Sequence, residues 1–108
     1  MEFLVEFEVS VPAGAPASEI EARTSAEASA AARLVDEGHL LRLWKPPAAP
    51  ADTKALGLYR ADSEAQLTGL LRALPLYDWM NITVTPLEAH PNDPVPPATV
   101  SAAVRSHR

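Results

Sequence analysis

Apolar and polar side chains alternate strictly over residues 2–11 (EFLVEFEVSV), with Phe3, Val5, Phe7, Val9 and Val11 on one side and Glu2, Leu4, Glu6, Glu8 and Ser10 on the other. A period of two predicts a strand with one face in a core. Pro12, Gly14 and Pro16 interrupt it. Ser18 is then placed to cap a helix, with Glu19 and Glu21 offsetting the positive end of its dipole, and the alanine-rich stretch runs to Glu37. Gly38 supplies a left-handed C-terminal cap. His39 to Lys45 (HLLRLWK) reads as a second strand, closed by Pro46, Pro47 and Pro50 in a loop that reaches about Thr53. Ala55 to Ala61 (ALGLYRA) predicts a third strand. Asp62 or Ser63 caps a second helix with Leu67, Leu70, Leu71 and Leu74 at helical spacing, and Pro75 ends it. In the last strand, Met80 to Leu87, Met80, Ile82 and Val84 alternate with Asn81, Thr83 and Thr85.

The order strand, helix, strand, strand, helix, strand predicts a ferredoxin-like α+β fold, βαββαβ, with both helices on one face of an antiparallel sheet. The other face stays open and carries Leu4, Arg42 and Trp44, an arrangement that tends to find a partner sheet. Residues 1–91 make the domain. The tail, 92–108, is rich in proline and poor in large apolar groups, and is expected to be extended or disordered unless it lies on a neighbouring subunit.

Composition sharpens this picture. Of 108 residues 47% are apolar, but 20 of those are alanines, and so thin a core predicts self-association. The net charge is -5 and the basic residues form no stripe, which argues against nucleic acid as a partner. Without cysteine there are no disulfides, thiolate metal sites or thiol nucleophiles. No apolar run is long enough for a membrane, and the strand-like start is unlike a secretory signal, so a soluble cytoplasmic protein is expected. His39, His90 and His107 are too widely spaced to predict a metal site. No glycine-rich phosphate loop or nucleophile elbow is present, which leaves acid–base chemistry on a small molecule, without a cofactor, ahead of covalent or nucleotide chemistry.

Three groups of residues could carry such chemistry. Glu27 lies seven residues from both Ile20 and Leu34, on a helical stripe that includes Ala31. Burial there would raise its pKa towards that of a useful general base, whereas an ill-defined alanine-rich face would leave it a solvated helix former. Arg42, Trp44 and Lys45 form the second group. Arg42 beside Trp44 could hold a carboxylate with paired hydrogen bonds, or the set could be surface charge around a packing Trp. Tyr77, Trp79 and Met80 form the third, as pocket wall or as a plug for the end of the core.

The stretches Glu37-Gly38, Leu43-Trp44-Lys45, Leu74-Pro75-Leu76-Tyr77-Asp78-Trp79-Met80-Asn81-Ile82-Thr83-Val84, Leu87 and His90-Pro91 resemble, in that order, the pattern of the muconolactone delta-isomerase family over roughly residues 1 to 91. The resemblance implies a ferredoxin-like subunit in a large homo-oligomer, commonly a decamer, with its site near subunit contacts. It also implies a cofactor-free reaction of aromatic catabolism that moves a proton within muconolactone to give the 3-oxoadipate enol-lactone. Glu27 matches the helix glutamate used there as base. Arg23, Arg42 or Lys45 would then hold the substrate carboxylate, and Trp44, Tyr77, Trp79 and Asn81 would complete the binding site.

Several positions depart from the family pattern. Thr24 replaces a lysine, with Arg23 adjacent; Arg42 replaces a histidine; Thr68 replaces another; Asp78 and Asn81 replace a proline and an aspartate. Ala55 and Gly57 stand for polar residues on the third strand, so that wall is expected to lose hydrogen-bonding groups. The loop before that strand is longer and proline-rich. These changes keep open a related isomerase or cyclase of secondary metabolism acting on another enolisable compound, and a non-catalytic small-molecule binding or assembly protein. Asp78 is the second candidate for the base.

Overall fold

The alternation of the N-terminal segment becomes β1 (Glu2–Val9), the strand around which the sheet is built. It pairs antiparallel with β3 (Lys54–Arg60) on one side and β4 (Met80–Leu87) on the other, and β2 (Leu40–Trp44) adds to β3. The strand order is therefore β2-β3-β1-β4, that of the ferredoxin-like fold. The structure, a computed structural model, describes residues 1–47 and 54–95. The proline-rich centre of the loop before β3 and the tail beyond residue 95 lie outside the described residues.

Phe3 and Val5 on β1 are fully buried beneath α1 (Ala17–Asp36) and α2 (Glu64–Arg72), joined by Leu34, Leu67 and Leu71 from the helices. Each such side chain contributes about 1.5–3 kcal/mol on burial. Val11, expected on the same face, is 46% exposed. The reason is that β4 begins at Met80, which pairs with Val9, so the ladder runs out; the last bond there is from the Ser10 N–H to the Trp79 carbonyl, 2.7 Å.

The helix ends follow local chemistry. Pro16, not Ser18, is the N-cap of α1, and its carbonyl receives the N–H groups of Glu19 and Ile20; no side chain caps this end, and the first turn contains Glu19 but not Glu21. At the other end Gly38 takes φ +80°, and the N–H groups of Gly38 and His39 return to the carbonyls of Val35 and Leu34, a Schellman closure. Ser63 caps α2 by accepting the Gln66 N–H at 3.1 Å. That helix stops at Arg72, before Leu74, because a residue preceding proline is pushed out of helical geometry.

A bulge between Leu40 and Arg42 sets the faces of β2. Leu40 pairs with Tyr59 and is buried, whereas Arg42 and Trp44 pair with Leu58 and Leu56 on the open face, with Leu4 beyond. Beyond β4 a turn is held by the Asn92 N–H donating to His90 Nδ1 at 3.0 Å and the Val95 N–H donating to Asp93 Oδ1 at 3.0 Å.

Candidate active site

Short side chains leave a hollow between α1 and the sheet. Ala28 and Ala31 from the helix and Ala55 from β3 bound a cavity of about 290 Å³, with Phe7, Leu40, Leu43, Leu76 and Met80 completing an apolar wall. Its polar groups are Thr24, Glu27, Tyr59 and Lys54. The Thr24 hydroxyl donates to the Ile20 carbonyl at 2.8 Å.

Glu27 occupies the packed stripe of α1, between Ile20 and Leu34, and is half-buried. Its Oε1 accepts the Leu76 N–H at 3.0 Å, across 49 residues of sequence. Burial raises its pKa above the ordinary carboxylate value, and the Leu76 hydrogen bond opposes that rise. A carboxylate tuned in this direction is a stronger base wherever it is still ionised. One turn earlier, Arg23 Nη1 donates to the Pro75 carbonyl at 3.2 Å. Pro75 C=O and Leu76 N–H are the two ends of one peptide group, so α1 holds that peptide from both sides.

Arg23 has its other contacts away from the cavity: its Nε meets Glu19 Oε2 at 3.1 Å, and its guanidinium lies 4.5 Å from the Trp79 ring centroid. Trp79, 9% exposed, lines a neighbouring hollow with Val9, Ile20 and Leu76. Tyr77 packs against the core. Arg42 stacks on Trp44 at 5.0 Å on the open sheet face, Lys45 is exposed just past β2, and Asn81 lines a separate hollow with Glu6 and Thr83. The structure thus brings Glu27 into the cavity and leaves Arg23, Arg42, Trp44, Lys45, Tyr77, Trp79 and Asn81 outside its lining. Asp78 is exposed in the 3-10 turn Tyr77–Trp79 and is outside it too.

Two lining residues escaped the sequence reading. Lys54 is the cation of the wall, at its mouth, with Glu8 3.8 Å away and both side chains about half exposed. Tyr59 is 3% exposed, and its phenol is pushed up to about 12 by burial and by the charge of Glu27. The signal for Tyr59 was the alternation of β3: Ala55, Gly57 and Tyr59 share one face, so the wall expected to lose hydrogen-bonding groups carries a phenol two residues on, whereas the same alternation sets Lys54 with Leu56 and Leu58 on the other face and gave no signal for it.

The muconolactone delta-isomerase family model matches residues 1–93. The chain belongs to this family. It is 35% identical over 95 residues to Muconolactone Delta-isomerase 1 of Acinetobacter lwoffii, an alignment covering 85% of this chain and 93% of that protein. Muconolactone Delta-isomerase of Cupriavidus pinatubonensis is 32% identical over 92 residues, covering 85% of this chain and 97% of that one. The crystal structure of a muconolactone isomerase superposes with a TM-score of 0.75 at 28% identity, over 85% of this chain and 93% of that chain. A second solved structure shares the fold at a TM-score of 0.61 and 13% identity, over 83% and 96% of the two chains: 5-chloro-2-hydroxyhydroquinone dehydrochlorinase from Burkholderia phenoliruptrix, in complex with 2,5-dihydroxybenzoquinone. Like its muconolactone delta-isomerase relatives, the chain is an isomerase.

Proposed function

We propose that this isomerase moves a proton within an unsaturated lactone of the muconolactone type, with Glu27 as the base and without a cofactor. The observation that carries the reading is a half-buried carboxylate held by a backbone N–H in an apolar cavity. Glu27 takes a proton from the ring carbon at the end of the conjugated system. The bonding pair passes through the double bonds to the carbonyl oxygen, and the resulting carboxylic acid returns the proton to the carbon next to the carbonyl. Lys54 at the cavity mouth meets the substrate's carboxylate, in place of Arg23, Arg42 or Lys45, which lie outside the lining.

The apolar wall favours a second substrate class within the same chemistry, a less polar enolisable carbonyl compound, because Ala28, Ala31, Ala55 and Met80 offer no hydrogen bonds to a densely oxygenated ligand. An ultraviolet assay with muconolactone, then with butenolides and enones of decreasing polarity, separates the two. Turnover of at least one compound is expected. Binding across the panel without turnover makes the chain a binding or assembly protein.

The subunit assembles as a homo-oligomer through the open sheet face, where Leu4, Leu56, Leu58 and Trp44 lie on the side of the sheet away from α1 and α2. Light scattering is expected to show a species several-fold larger than the 11.6 kDa chain. A monodisperse monomer at micromolar concentration overturns this part of the reading.

A further inference from the structure

Gly57 and Tyr59 are neighbours on the core face of β3. A Cβ placed on Gly57 would stand 2.5 Å from Tyr59 Cε1 and 3.2 Å from its Cδ1. The Tyr59 ring therefore leans back along its own strand, across the bare glycine, instead of standing straight off the sheet. Phe7 packs against it with ring centroids 6.1 Å apart and planes inclined by 57°. The ring is thus held on two sides and nearly sealed from solvent.

Its hydroxyl has no hydrogen-bond partner among the described residues, and none of their side-chain polar atoms is sealed off without one. The hydroxyl is therefore not sealed from solvent, and Tyr59 lines the same cavity as Glu27. A buried phenol normally finds a partner. One left open in a cavity with a carboxylate, and near enough to feel its charge, is a donor waiting for an acceptor that the described residues do not supply.

We propose that Tyr59, laid across Gly57, donates its hydrogen bond to the substrate oxygen that becomes an enolate when Glu27 removes the proton. This rests on the reading of Glu27 as base. The C–H bond breaks towards Glu27, the pair moves to the carbonyl oxygen, and Tyr59 shares its proton with that oxygen without giving it up. Return of the proton from Glu27 to carbon restores the carbonyl. Such a donor works because the negative charge on oxygen is greater after proton removal than before, so the bond strengthens along the reaction. At neutral pH, where Glu27 acts as base, the phenol keeps its proton, since its own loss of a proton is pushed up to about 12. Gly57 is a positioning residue that acts through the ring.

The test uses para-nitrophenolate, an oxyanion whose colour reports its protonation on binding. Glu27→Gln imitates the state after proton transfer, a neutral side chain beside an anionic ligand, and is expected to bind the probe more tightly than the parent protein. Adding Tyr59→Phe, which removes one oxygen, is expected to weaken that binding about tenfold or more, on the scale of a hydrogen bond to a charged group. Gly57→Ala in the same background leaves the phenol intact and displaces only its ring, and is expected to weaken the probe in the same direction. If Glu27→Gln tightens the probe and neither added substitution weakens it, the role of Tyr59 is overturned while Glu27 stands as base. If Glu27→Gln binds no more tightly than the parent, both readings fall.

Discussion

Arg23 and Glu27, one turn apart on α1, grip opposite ends of a single peptide: Arg23 donates to the Pro75 carbonyl at 3.2 Å and Glu27 accepts the Leu76 N–H at 3.0 Å. The pairing is chemically consistent. A donor on the carbonyl oxygen polarises the peptide and makes its N–H a better partner for a carboxylate. The helix thereby docks the segment that leads into β4, and the segment in turn aims the carboxylate at the cavity.

Removing one end of this grip changes the other. Arg23→Leu takes away the Pro75 contact and a nearby positive charge, and both losses favour the neutral form of Glu27. The acid limb of the pH profile for kcat/KM is expected to move to higher pH, with kcat reduced several-fold and KM little changed. An unshifted limb would show that Arg23 serves only to pack Trp79.

Glu27→Gln keeps the shape and can still accept the Leu76 N–H, but cannot take a proton. Turnover is expected to fall by at least about a hundredfold, the usual scale for losing a general base. Circular dichroism and the size of the assembly should not change. Near-normal turnover on a substrate that the parent converts would exclude Glu27.

The same substitution has an opposite effect on stability. Because the folded-state pKa of Glu27 lies above its ordinary value of 4.5, the folded protein holds this proton more tightly than the unfolded chain does. The stability it contributes is fully present below that ordinary value and is lost as pH rises through the raised one. At neutral pH the parent carries the cost of a half-buried charge. Glu27→Gln is therefore expected to melt at a higher temperature than the parent at neutral pH, with the difference shrinking in acid; thermal melts of both proteins across that range provide the check.

Lys54 should act on binding and not on chemistry. Lys54→Ala is expected to raise KM for a lactone that carries a carboxylate by about tenfold, the lower end for a charge-assisted contact, and to leave kcat and the KM of an uncharged butenolide within about twofold. Equal effects on both substrates would assign Lys54 to structure.

The core sets the tolerance of the fold. Leu67 is fully buried, and Leu67→Ala is expected to cost roughly 2–5 kcal/mol, since the lost transfer energy adds to that of the cavity left behind. Denaturant unfolding at fixed protein concentration measures it. A cost below about 1 kcal/mol would mean that the core collapses around the gap.

Local pattern alone determined most of the architecture. The two-residue period of β1, the helical spacing of Leu67 and Leu71, the left-handed Gly38 and the cap at Ser63 are each decided by neighbours within a turn or a strand, so they could be read from the chain. The stripe through Ile20, Glu27 and Leu34 likewise placed Glu27 on the packed side of its helix. Partners distant along the chain could not be read in this way. The peptide that Glu27 holds lies 49 residues away, and its identity depends on how α1 crosses the sheet. Leu40 and Arg42, two residues apart, would share a face by alternation alone, and the bulge between them turns Leu40 to the core while Arg42 stays on the open face. Tyr59 faces Glu27 only because β3 pairs with β1 in one register and its ring folds over a glycine that no periodicity singles out. Hydrophobic pattern specifies which side of an element is buried, since burial is a property of one residue and the water it leaves. Which groups then meet in the space left over is decided by the packing of whole elements, because hydrogen bonds and charges act between residues over a few ångströms, whatever their separation in sequence.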